Sequence, residues 1–203
     1  MTDALLPVFY LPPLSWLHEF TKPGRRVILE QQESFLKQTY RNRCNIYGAN
    51  GRLSLSIPVK HVRGAKMRDV EISYRERWPV LHWRSVESAY RRSPYFEFYE
   101  DKLRSLWDFH PEKLIDFNLN ALSVIQSIMR TDKKFMLNEA FEKQPEDLDL
   151  RNRFSAKQES DYDMPEYYQV FSDRHGFLKD LSVLDLLCNI GPEAATYLSK
   201  INY

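Results

Sequence analysis

The chain is poor in cysteine and glycine, and it has no long apolar run. Its 203 residues include two cysteines, Cys44 and Cys188. Two distant thiols make no disulfide framework and fit a reducing compartment. The six glycines are scattered, so neither a phosphate-cradling loop nor a dinucleotide fingerprint is present. No Cys-x-x-Cys or His-Glu-x-x-His pattern occurs, which leaves zinc without sequence support, and no metal ligands are expected. No Gly-x-Ser-x-Gly elbow occurs. No stretch reaches the roughly 18 apolar residues that suggest a membrane span. No Lys or Arg precedes Lys22, and Pro7, Pro12 and Pro13 interrupt the apolar start. A secretory signal is therefore not expected, and the cytoplasm is the implied location.

What is present is core material and a hidden charge asymmetry. Hydrophobic residues make up 43%, with 12 Phe, 12 Tyr and 4 Trp. That excludes a disordered polymer and suits one domain over residues 1–203. The formal net charge is only +1. Residues 37–92 nevertheless hold 13 basic and 4 acidic side chains, while 93–203 hold 13 basic and 20 acidic. Either the two parts attract each other within one domain, or the basic part faces an anionic ligand. The near-neutral total argues against a nucleic-acid partner.

Patterning predicts a mixed α/β fold in which a strand-rich N-terminal half, about 1–75, packs against helices of the middle and C-terminal parts. Strands are expected at 8–11, 26–30, 44–47, 53–59 and 70–74. Leu53, Leu55, Ile57 and Val59 alternate as inward residues. Gly48-Ala49-Asn50-Gly51 is a hairpin turn. The segment 61–68 reads as a basic solvated loop. Helices are expected at 14–20, 83–92, 95–109, from about Pro111 to Met129, after a Ser182 cap, and at 193–200. Glu142 to Glu166 reads as a long polar loop, and loops of that length often carry function.

Five features could carry chemistry or binding. Cys44 could pair with a histidine as a nucleophile, or be a small buried hydrophobe. Lys37-Gln38-Thr39-Tyr40-Arg41-Asn42-Arg43 is the densest polar-basic cluster. Its arginine forks suit carboxylate or phosphate, and the competing reading is a strand edge blunted by charge. His82 precedes an expected helix and could act as a base, or be a half-buried imidazole bonded to backbone. His175 lies two residues from Asp173, which could orient it, or both belong to a solvated turn. The tyrosines 90, 95 and 99 form an aromatic stripe, of the kind found in cores as well as in binding platforms.

Taken in order, several motifs form a set. They are Tyr10-Leu11-Pro12-Pro13, Lys37 to Cys44, Gly48-Ala49-Asn50-Gly51, Leu53 to Val59, Trp78, His82-Trp83, Ser88-Ala89-Tyr90 and Ser93 to Phe96. Asp149-Leu150-Arg151-Asn152, His175-Gly176-Phe177, Leu181-Ser182 and Gly191-Pro192 complete it. In these the chain resembles the WbqC-like family of bacterial proteins over nearly its whole length. It departs from the family pattern at Ser155-Ala156-Lys157, where Ser-Pro-Lys is usual, and at Lys179-Asp180, where Pro-Asn is common. The resemblance implies a place in surface-polysaccharide gene clusters and carries motif positions without assigned roles. The opening is also similar to nucleotidyltransferase-type α/β domains, which use a histidine pair in the first loop. Only His18 stands there in this chain.

The expectation is therefore an enzyme that modifies a nucleotide-linked sugar or other anionic precursor. Lys37, Arg41 and Arg43 would bind the anion, with Tyr40 and Asn42 orienting polar groups. Tyr10, Gln38, Asn50, Tyr90 and Arg151 would complete the substrate surface, and His82 or His175 would be the acid or base. No cofactor is indicated. The alternative is a non-catalytic protein-binding or scaffold protein that uses the same basic-aromatic surface.

Overall fold

The computed structural model describes residues 3–60, 64–146 and 148–203. A parallel sheet organises the chain. Strand β1 (Asp3–Pro7) runs into helix α1 (Leu14–Thr21), which returns the chain to β2 (Arg26–Glu30). The two strands pair in parallel register, with Leu5 opposite Ile28. Later segments β5 (Phe135–Leu137) and β6 (Leu148–Asp149) complete the order β5-β2-β1-β6. Ala4, Leu6, Val27 and Leu29 are buried on one face of the sheet and join the main core.

A hairpin of β3 (Arg43–Gly48) and β4 (Gly51–Ser56) forms a separate two-stranded unit. Gly51 turns it with φ +95°, a conformation that a side chain would strain. The hairpin packs against helix α2 (Trp78–Tyr90), which is followed by α3 (Phe96–Asp108) and α4 (Leu114–Met129). A short turn α5 (Ser172–His175) precedes α6 (Val183–Ile190), and a 3₁₀ turn at Gly191–Glu193 leads into α7 (Ala194–Leu198). Ser182 caps α6 by accepting the Leu184 N–H. Gly191 sits directly against the Tyr95 ring, where a Cβ would fall 2.5 Å from ring carbons. The fold is thus mixed α/β, with one core shared by both sheets and the helices.

Several boundaries differ from the pattern reading, each for a physical reason. The first strand is Asp3–Pro7, not 8–11, and Leu11 has φ +42°, which ends any extended run. β4 stops at Ser56, and Leu53 is 40% exposed because this hairpin has no further strand to cover it. Residues 70–74 make only isolated bridges, Val59 to Ile72 and Glu71 to Lys113. Helix α2 begins five residues early, with Pro79 in its first turn, where a missing N–H costs nothing. Helix α4 begins at Leu114 rather than Pro111, because the Glu112 carbonyl first accepts the Ile72 N–H. The 142–166 segment supplies β6 and the buried residues Leu150, Phe154, Tyr162 and Met164. Part of the expected basic loop, residues 61–63, lies outside the described residues. Among the described residues no helix is long and apolar enough to cross a membrane.

Candidate functional site

In an open parallel sheet, ligands bind beyond the carboxyl ends of the strands, where successive connections leave in opposite directions. Here β2 lies on one side of β1 and β6 on the other. Two polar arrangements occupy this end of the sheet.

The first is a closed network. Glu30 ends β2 fully buried, and its Oε1 accepts from the Gln32 and Glu33 N–H groups and from Asn138 Nδ2 at 2.6 to 3.0 Å. Its Oε2 faces the Arg151 guanidinium at 3.2 Å. Arg151 also donates twice to Asp149, at the end of β6, and once to the Glu142 carbonyl. Glu33 takes both arms of Arg41, at 2.7 and 2.6 Å. Burial pushes the Glu33 carboxyl up, while Arg41 opposes that rise. The Arg151 guanidinium beside Asp149 holds that carboxyl below the ordinary range.

The second arrangement is an open cleft of about 520 Å³. It is lined by Tyr40, Tyr162 and Phe177, and by the carboxyl groups of Asp161, Asp163 and Asp180. Glu159 and Glu166 add charge, and Arg52 and Lys179 are its basic residues. Asp180 is 8% exposed. Its two oxygens accept from the backbone N–H and the hydroxyl of Ser15, both at 2.8 Å. Ser15 lies in the first turn of α1, whose N-cap residue, Pro13, offers no side-chain hydrogen bond. Asp180 therefore satisfies a helix N–H from a distant part of the chain. Its own φ of +56° is one that Asp tolerates better than most residues. Burial raises the Asp180 carboxyl above its ordinary value, while the Ser15 bonds pull it back. The Tyr40 hydroxyl is pushed up to about 12 by burial and by the nearby Asp180 charge.

The residues expected from sequence do not share one cavity, and of them only Tyr40 lines this cleft. Arg41, 3% exposed, and Arg151 are committed to the closed network. Tyr10 and His82 are core residues. The Tyr10 hydroxyl bonds His82 Nδ1 at 2.9 Å and accepts from Trp107 Nε1 at 3.3 Å. Burial lowers His82 to about 4, so it is neutral at pH 7, fixed between Tyr10 and the backbone of Ser56. Tyr90 is fully buried and accepts the Tyr47 N–H. Asn42 donates to the Ile57 carbonyl and Arg43 to the Ser56 hydroxyl. Lys37, Gln38 and Asn50 are exposed. His175, also exposed, bonds the Ala49 carbonyl at the hairpin tip. Cys44 is buried and its thiol is pushed up, which removes it as a nucleophile.

The cleft residues that sequence reasoning missed include Asp180, Tyr162 and Arg52, with Ser15 holding Asp180 from behind. A signal existed in the density of Tyr and Asp within 158–163, which read only as a polar loop. Asp180 was visible solely as a departure from a family pattern. Among the described residues no three His, Cys, Asp or Glu side chains converge as a metal site requires.

The fold and the cleft define an α/β protein with a polar, aromatic-walled pocket beside the N-terminus of α1. The model of the WbqC-like protein family matches residues 9–159, and the chain belongs to that family. No curated protein and no solved structure matches it.

Proposed function

We propose that the chain is an enzyme acting on a nucleotide-linked sugar used to build surface polysaccharide, and that the sugar enters the cleft beside α1. The observation that carries this reading is the lining itself. Flat rings at Tyr40, Tyr162 and Phe177 suit the apolar faces of a pyranose, and the carboxyl groups suit its hydroxyls. The acidic residues disfavour a phosphate beside them, so the diphosphate lies at the basic side of the cleft, near Arg52 and Lys179. Asp180 is the acid or base, because its raised carboxyl keeps a proton nearer neutral pH than an ordinary aspartate. A location in the cytoplasm, where nucleotide sugars are made, agrees with the reduced thiols.

A second reading is a binding protein without catalysis. It is favoured by one fact: His82 and His175 each bond a protein partner and line no part of the cleft.

Titration calorimetry with a panel of nucleotide sugars, coupled to NMR observation of their consumption, tests both. Saturable heat is expected, weakened about threefold to tenfold in Phe177→Ala by loss of one stacking ring. Asp180→Asn should retain binding and lose consumption. Binding without consumption in the parent protein establishes the second reading, and no heat with any sugar removes both.

A further inference from the structure

A second cavity, of about 750 Å³, lies at the opposite end of α1. Its wall is largely apolar, with Pro23, Met129, Leu198 and Ile201, and two of its polar groups are His18 and Thr131. His18 is 8% exposed. Its Nδ1 lies 2.8 Å from the Leu198 carbonyl, which can only accept, so Nδ1 carries the ring proton. Nε2 is thereby left as a bare acceptor. Its nearest charged neighbour, Glu19 Oε1, is 3.8 Å away, beyond hydrogen-bond range. Glu19 is itself engaged by Lys22, Arg25 and the Tyr162 hydroxyl. Burial lowers His18 and keeps it neutral, with Lys22 and Arg25 adding to the effect and the Leu198 carbonyl and Glu19 opposing it.

Thr131 Oγ1 also lacks a hydrogen-bond partner among the described residues, but it is sealed from solvent and so turned away from the open cavity. A free imidazole acceptor on the wall of a largely apolar cavity of ligand size is the arrangement of a small-molecule site. We propose that this cavity is a second binding site, for a neutral, mainly apolar small molecule bearing a hydroxyl. The hydroxyl donates to His18 Nε2. Its apolar body lies against Met129, Leu198 and Ile201. Lys22 does not make it an anion site, because its Nζ is bound to Glu19 at 2.7 Å. The Tyr162 ring, which lines the first cleft, packs on the edge of His18 with centroids 5.9 Å apart. The two cavities thus share a wall, and the second does not depend on the reading given for the first.

The test uses the full chain with 13C-methyl methionine and 15N-histidine labels, and 2-naphthol as the probe. The expected result is a saturable shift of the Met129 methyl and of the His18 Nε2 signal. The same titration with 2-methoxynaphthalene, which cannot donate, should be about threefold to tenfold weaker, the loss of one hydrogen bond. Ala195→Trp keeps His18 and fills the cavity from the exposed side of α7, and it should abolish both shifts. The proposal fails if Met129 shows no saturable shift. It also fails if the methoxy compound binds equally well, or if the shifts persist in Ala195→Trp.

Discussion

The closed network and the open cleft lie at the same end of the sheet and use similar side chains, yet they do opposite things. In the network, Glu30, Glu33 and Asp149 each meet an arginine or an array of N–H groups at close range. Their polar capacity is spent within the protein. In the cleft, carboxyl groups from 158–166 line open space, with Asp161 meeting Arg153 only at 3.8 Å, while Asp180 is anchored by Ser15. An arginine in a motif is thus no evidence of a ligand until its carboxylate has been located. The basic excess of 37–92 is drawn partly inward, because Arg41 serves Glu33 and stacks on Phe9.

The sharpest way to break this contrast is to open the network. Glu33→Gln leaves the Arg41 charge buried without its counter-ion, and should cost about 3–5 kcal/mol in chemical denaturation. The double variant Glu33→Leu/Arg41→Met should recover most of that loss, because the two charges are removed together. An equal loss in the double variant would mean that packing, rather than charge, dominates.

Another buried acid, Asp185, sharpens the comparison further, since it is sealed like the network but has no cation partner among the described residues. It accepts from the Tyr167 hydroxyl and from Gln169, and one oxygen has no partner among the described residues. Burial raises it to about 6. The folded protein therefore holds this proton more tightly than the unfolded chain does. Its stabilising contribution is full below the ordinary carboxyl range and is lost as pH rises through about 6. Between pH 4 and 7 the loss should be about 2–3 kcal/mol relative to Asp185→Asn, read from paired denaturation curves. Parallel pH profiles for the two proteins would contradict it.

The smallest effect belongs to the cleft. Asp180→Ala removes the distant cap of α1 and should cost about 1 kcal/mol. Asp180→Asn keeps an acceptor for the Ser15 N–H and tolerates the same φ, so its cost should be smaller. If both variants lose the same stability, the carboxylate charge at the helix terminus matters more than the hydrogen bond.

Much of the scaffold was legible from local pattern. The 26–30 strand, the Asn50-Gly51 turn and the Ser182 cap follow from β-branched content, positive φ and a side-chain acceptor. Strand β6 was hidden because it is two residues long, Leu148-Asp149, and owes its existence to pairing with Ala4 and Leu5. Strand β5 likewise depends on Val27, Ile28 and Leu29. No window around either segment carries that information, since the partner strands lie over a hundred residues away.

The site was less legible for the same reason. Composition and motif order determined the class of fold and the family. Only the tertiary structure decided that Tyr10 and His82 bond each other in the core, and that Arg41 and Arg151 are consumed by carboxylates. It likewise decided that Asp180 meets Ser15 across 165 positions. A side chain's chemistry is written in its type. Its freedom to act depends on which partners the fold brings within about 3 Å, and those contacts are long-range.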